Sequence, residues 1–172
     1  LLGLNEVVYP LQQDRLLGAA GEGRYEAVRG WAGRPEYGNS LLVRRPLRAA
    51  DVERLDLGAT RSAHRVQLAL PGGARLVFVV THLHHVPADE ALRVAQVDLL
   101  LAWLDDLPVH DALIVAGDFN AEPHEPAYER LIAAGFVSAS AQANGEEPAV
   151  TWPSGLVAPG MDTDGDPGCM DY

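Results

Sequence analysis

Four short stretches of this chain carry side chains able to do acid–base or metal chemistry. Gly117-Asp118-Phe119-Asn120 sets an acid and an amide two residues apart. In extended backbone that spacing turns both polar side chains to one side and Phe119 to the other, so Asp118 and Asn120 can face a substrate while Phe119 enters the core. Gly, Asp and Asn are also ordinary turn residues, and the stretch gains weight from its company. Thr81-His82-Leu83-His84-His85 puts three histidines in four positions, with His82 and His84 on one face of an extended chain and His85 on the other. An imidazole there can move a proton or bind a metal near neutral pH. Glu6 interrupts the apolar run Leu1 to Val8, and Asp171 stands between Met170 and Tyr172; both read as carboxylates emerging from the ends of strands.

These groups act together only if the chain brings them to one place, and its periodicity supplies a way. Arg75 to Thr81 is a β-branched run, and Pro71-Gly72-Gly73 before it is a turn that makes it the hairpin partner of Ala63 to Leu70. Pro87-Ala88-Asp89-Glu90 starts a helix that Asp89 can cap. Leu92, Ala95, Leu99 and Trp103 then recur at helical spacing, predicting a buried face and an end near Asp106. Asp111 to Ala116 is a short continuous apolar run, as expected at the centre of a sheet covered on both faces. Strand, helix and strand form a βαβ unit whose right-handed crossover makes the strands parallel. One edge of the sheet then carries His82, Asp118 and Asn120, where open α/β sheets bind ligands.

The rest is organised around that unit. Asn39 to Arg45 reads as a strand. Tyr9 to Tyr37, rich in Gly, Arg and Glu, reads as a helix-bearing crossover and a mobile loop. Glu125 to Ala134 is a second helix closed by Gly135. The remainder to Gly168 is dominated by Gly, Pro, Asp and Ser, and includes Trp152 as a candidate rim residue. Asp162-Thr163-Asp164-Gly165-Asp166 is a poor calcium loop, because its glycine is the fourth residue where the sixth is required.

Composition narrows the field. With 172 residues, 48% apolar and 22% charged, the chain predicts one packed domain over 1–172. The lone Cys169 forms no internal disulfide. Thirteen basic against twenty-four acidic side chains give 13 − 24 = −11, which argues against high-affinity binding of duplex nucleic acid. An acidic enzyme still acts on an anion where a divalent cation supplies local positive charge, and a small or medium phosphoester fits best. No run approaches the roughly 18 to 20 apolar residues of a membrane span, so the chain reads as soluble, with a cytoplasmic location favoured. It starts without methionine and stops inside a strand, so both ends read as cut. Oligomeric state is not encoded in anything this pattern shows.

Taken in order, Asn5-Glu6, Gly38-Asn39-Ser40-Leu41-Leu42, Thr81-His82-Leu83, Gly117-Asp118-Phe119-Asn120 and Met170-Asp171-Tyr172 resemble the motifs of the endonuclease/exonuclease/phosphatase superfamily. The resemblance spans nearly the whole chain. It implies a deoxyribonuclease I-like four-layer α/β sandwich of mixed sheets and hydrolysis of a phosphoester by an activated water. It makes Glu6 the ligand of Mg2+, or of Mn2+ in its place. His82 becomes a phosphate-binding or proton-donating residue, Asp118 the group that orients or deprotonates water, Asn120 a phosphate holder, and Asp171 the partner of a catalytic histidine. Asn5 stands where the family has glutamine. The family's serine-aspartate-histidine motif falls beyond Tyr172 and its metal-side asparagine before Leu1, so this stretch alone is expected to be nearly inactive.

Two other classes compete. Closely spaced histidines after a strand suggest a zinc hydrolase of the metallo-β-lactamase kind, but His85-Val86 stands where that fold needs an aspartate-histidine pair. A non-catalytic binding module on the same scaffold is the third reading, and retention of Glu6, His82, Asp118, Asn120 and Asp171 weighs against it.

Overall fold

The structure, a computed structural model, describes residues 1–21, 23–34, 36–156 and 165–172, with the backbone alone for 30–34. Two sheets form its centre. One has the order β1 (Leu2–Val8), β3 (Tyr37–Arg44), β2 (Tyr25–Arg34), all antiparallel. The other has the order β4 (Ala49–Gly58), β5 (Arg61–Ala69), β6 (Arg75–His82), β7 (Ala112–Asp118). β5 and β6 form the hairpin predicted across Pro71-Gly72-Gly73, and β6 and β7 are parallel, as the βαβ reading requires.

The strand period of two explains how the layers stack. Along β6, Val77 and Val79 face helix α2 (Glu90–Leu104) and helix α3 (Pro126–Ala133), in a core shared with Leu57, Val97, Leu100 and Leu131. Leu76, Phe78 and Val80 face the other way, against Leu41 and Val43 of β3 with Val66 and Leu68 of β5. β6 is thus buried on both faces. Helix α1 (Leu11–Ala19) lies on the far side of the first sheet, where the Ser40 hydroxyl donates to Gln13 at 2.9 Å. Helix, sheet, sheet and helices give the four layers expected of a deoxyribonuclease I-like sandwich.

Several local expectations need correction. Tyr9 to Tyr37 is no crossover: after α1 it forms β2, hairpin partner of β3. β4 was absent from the sequence reading, as was the short helix α4 (Ala139–Asn144). Both strands are sheet edges with little burial, so their composition is polar and their alternation faint. On α2 the buried face is Arg93, Gln96, Val97, Leu100 and Leu104; Leu92 and Trp103 are only half-buried, and Leu99 is 49% exposed. The helix is apolar nearly all round, so periodicity could not choose a face. Arg93 can occupy the core because it donates to the Val86 and Pro87 carbonyls and pairs with Glu90. Asp89 does not cap α2, its carboxylate lying 2.9 Å from His84 Nε2 instead. β7 is not central: beyond β6 its other side carries only the Asp118–Asp171 bridge among the described residues, and Ile114 is 45% exposed. Of the calcium-loop stretch, Asp162, Thr163 and Asp164 lie outside the described residues.

Candidate active site

The parallel register pairs His82 with Asp118, the last residues of β6 and β7, and the following bridge pairs Asp118 with Asp171. Two strand ends and the isolated bridge beside them therefore put His82, Asp118 and Asp171 side by side on one edge. Gly117 permits this packing. Its φ of +144° belongs to glycine, and a Cβ there would lie 1.9 Å from the Thr81 carbonyl oxygen. Only an unsubstituted residue lets β7 run so close to β6 and still exchange both backbone bonds with Tyr172. Phe119 turns inward and is buried, as its alternation predicted.

The other sheet reaches this edge through two amides. Asn5 donates from Nδ2 to the Thr81 carbonyl at 2.9 Å and to Asn39 Oδ1 at 2.9 Å, while its Oδ1 accepts from the Asp118 N–H at 3.1 Å. Asn39, 2% exposed, donates to the Ser62 carbonyl at 2.9 Å. Glu6 follows Asn5 at the bulge in β1, in the left-handed region at φ 56°, where a non-glycine residue is strained. It accepts from the Tyr37 hydroxyl, which is pushed up to about 12, mainly by burial and then by this bond. Glu6, His82, Asp118, Asn120 and Asp171 are thereby brought to one edge.

Their electrostatics are unequal. Asp118 is pushed up to about 7, first by burial and further by the Asp171 and Glu6 carboxylates; the Asn120 N–H, which donates to Oδ1 at 2.9 Å, opposes this. His82 is held down to about 3, first by burial and then by Arg61 and His85. Its Nε2 lies 3.6 Å from Asp118 Oδ2. Asn120, at φ 48°, donates from Nδ2 to the Leu83 carbonyl at 3.1 Å, which fixes its amide over the edge with one N–H left over. No ion pair joins Asp171 to a histidine among the described residues; its N–H donates to the Thr151 hydroxyl.

The sequence reading missed Arg61. It sits at the start of β5, with Nη1 3.2 Å from His82 Nδ1 and Nη2 3.0 Å from His85 Nδ1. The signal was present: once the hairpin turn is placed, the register that pairs Ala69 with Arg75 runs on to pair Ser62 with His82, which leaves Arg61 at the same edge.

Glu6 in β1 and Asp171 in the bridge beside β7 both act on the carboxylate of Asp118. A carboxylate such as Glu6 offers the oxygen ligand that suits a hard cation such as magnesium, which keeps water and substrate oxygens among its ligands. Among the described residues no three His, Cys, Asp or Glu side chains are grouped to hold an ion by themselves. A cavity of about 840 Å³ lies elsewhere, on the outer face of β7 against Ile114, Leu131, Phe136 and Tyr172, and reaches the edge at Asp171. Among the described residues no helix is long and apolar enough to cross a membrane.

Solved structures share this architecture. The human nocturnin catalytic domain with bound sulfate anion is 26% identical with a TM-score of 0.75, over 88% of this chain and 64% of that one. A D. rerio TDP2 complexed with single strand DNA product is 19% identical with a TM-score of 0.71, over 98% and 67%. An endonuclease/exonuclease/phosphatase from Bacteroides vulgatus is 22% identical with a TM-score of 0.63, over 78% and 57%. The chain thus spans about two thirds or less of the length of these relatives. No curated protein matches it. The family model described as Endonuclease/Exonuclease/phosphatase family matches residues 1–172, and with the fold and the edge in place the chain belongs to that family.

Proposed function

We propose that this chain carries the water-activating half of a magnesium-dependent phosphoesterase, with Asp118 as general base. The observation that carries the reading is the placing of Asp118: a carboxyl at the end of β7, with one oxygen tied to the Asn120 N–H and the other facing His82, and with its affinity for protons raised by burial. A base whose affinity for protons sits near working pH is both deprotonated often enough and basic enough to help. Glu6 would hold the magnesium ion, which when bound supplies positive charge for the phosphoryl oxygens. Asp118 takes a proton from water, Asn120 and His82 donate to phosphate oxygens, and Arg61 adds the cationic group nearest that position. Burial around His82 excludes water and strengthens each of these contacts. The sulfate anion on one relative and the single strand DNA product on another support a tetrahedral oxyanion as the group recognised. The net charge of −11 favours a small or medium phosphoester over duplex DNA.

The test is steady-state hydrolysis of a panel of phosphomonoesters and phosphodiesters across a magnesium titration, by this chain, expected to be nearly inactive, and by a longer one that carries the family's serine-aspartate-histidine motif, in which the variants are compared. Turnover should require the metal, and Asp118→Asn should lower kcat by about 10²- to 10⁴-fold, the range for a positioned acid or base. Glu6→Gln should raise the magnesium concentration needed. Equal rates in excess EDTA, or full turnover by Asp118→Asn, would overturn the reading.

A further inference from the structure

Arg61 lies near the Asp118 carboxylate, yet its two terminal nitrogens point at imidazoles. Nη1 is 3.2 Å from His82 Nδ1 and Nη2 is 3.0 Å from His85 Nδ1, while its Nε is buried with no partner. We infer that Arg61 is a positioning residue that fixes His82 as the neutral Nε2–H tautomer, holding His85 beside it through the same ring nitrogen, so that His82 meets the phosphoester as a hydrogen-bond donor and not as the proton source for the leaving group. This rests on the phosphoesterase reading of the edge.

A guanidinium has donors only and does not deprotonate, so each contact demands a lone pair on the facing Nδ1. In a neutral imidazole the proton then sits on Nε2. A doubly protonated His82 would point an N–H at an N–H and bury a second cation against Arg61 at a position 5% exposed. Arg61 itself is anchored by the β5–β6 ladder, one residue from Ser62, the register partner of His82. At 3.6 Å the gap from His82 Nε2 to Asp118 Oδ2 is too long for a hydrogen bond, which leaves the Nε2–H for a ligand oxygen.

The charged and titratable groups around His82 are Arg61 from β5, His85 from the loop after β6 and Asp118 from β7, with Glu6 and Asp171 acting on Asp118. Two of the three groups facing His82 disfavour its cation, and burial holds its affinity for protons low in the same direction. The hydrolysis still balances. The water oxygen bonds to phosphorus as its proton passes to Asp118, the bond to the leaving oxygen breaks, and that oxygen takes its proton from solvent.

The tautomer has a spectroscopic signature that does not depend on turnover. In long-range proton–nitrogen spectra of the ¹⁵N-labelled chain, His82 should stay a neutral Nε2–H tautomer from about pH 7.5 to about pH 4.5, well below the ordinary histidine midpoint. In Arg61→Met, His82 should take up a proton with its midpoint raised by about 1 pH unit or more, roughly tenfold in proton affinity. An Nδ1–H signature or an imidazolium at His82 near pH 5 in the unaltered chain overturns the inference, as do superposable titrations. Should Arg61→Met lose its circular dichroism signature of folding, Arg61→Lys serves instead: a single ammonium replaces the fork, and the signature at His82, at His85 or at both should change. Retention at both counts against it. With magnesium and bis(4-nitrophenyl) phosphate as probe, His82→Gln, which keeps a donor but no transferable proton, should fall by less than about tenfold with its pH profile unshifted; a loss of about 10²-fold or more would mark a proton donor. If the chain turns over no phosphoester, as the resemblance leads one to expect of this stretch alone, the nitrogen spectra decide the tautomer by themselves.

Discussion

The two sheets deliver side chains to the same edge by different means. In the β4–β7 sheet the placement is done by backbone: a continuous parallel ladder from Leu76–Ala112 to His82–Asp118 leaves the last pair no freedom relative to each other. In the β1–β3–β2 sheet it is done by side chains, through Asn5 and Asn39, which hydrogen-bond across to Thr81, Asp118 and Ser62. A ladder distributes its strain over many bonds. A pair of amides concentrates it in two residues, so the joint between the sheets is where single substitutions should separate geometry from folding.

The largest effect is expected where the ladder itself is squeezed. Gly117→Ala puts a methyl group 1.9 Å from a backbone oxygen at φ +144°, and should cost more than about 3 kcal/mol in urea denaturation, by overpacking plus strain at a special dihedral. A loss below about 1 kcal/mol would mean that β7 can move away from β6, and that the close approach is not what fixes His82 against Asp118. Asn5→Ala tests the other joint. It leaves the Thr81 carbonyl and the Asp118 N–H without these partners and should destabilise by about 1 to 3 kcal/mol, with a fall in kcat/KM beyond that of an equally destabilising core change such as Val97→Ala. Equal falls would reduce Asn5 to a structural residue.

A subtler effect separates the two groups that the ladder pairs. His82 has its affinity for protons lowered to about 3 from an ordinary 6.5, so its contribution to stability is present above pH 6.5 and is lost as pH falls toward 3. Asp118 is raised to about 7 from 3.8, so its contribution is present below pH 3.8 and is lost as pH rises toward 7. Between about pH 4 and 6.5 the two slopes oppose each other and the intact pair should look nearly flat. Asp118→Asn should uncover stability rising with pH, and His82→Gln stability falling with pH, each by at most about 1.4 kcal/mol per pH unit. Denaturation midpoints across that range in both variants check this; slopes of the same sign would break the assignment. The smallest effect is expected on the outer face of α2, where Leu99→Gln should stay within about 0.5 kcal/mol, against about 2 to 5 kcal/mol for Leu100→Ala one residue away.

What could be read in advance follows the same division. The βαβ unit, the hairpin and the strand-end groups His82 and Asp118 were legible because ladder geometry is periodic, and periodicity is written in residue order; Asn120 lies past the end of β7 in left-handed backbone, so alternation does not describe it. Arg61 was legible in principle from the hairpin register. The amide joint was not: Asn5 looks like a neutral replacement in a strand, and nothing local tells an asparagine that binds its own turn from one that binds a carbonyl 76 residues away. The face of α2 failed for another reason, since Leu92, Leu99 and Trp103 are as apolar as Val97, Leu100 and Leu104, and the choice was made by Arg93 and Gln96 finding carbonyls to bind. β2 and β4 went unread because sheet edges do not need apolar alternation.

The bond from the Asp118 N–H to Asn5 closes a loop of 113 residues. A chain made from its N-terminus therefore holds Asn5 and Glu6 long before the strand they must meet exists, and chain closure over that span is slow compared with helix or hairpin formation. The two sheets are therefore joined late, once β7 has been made.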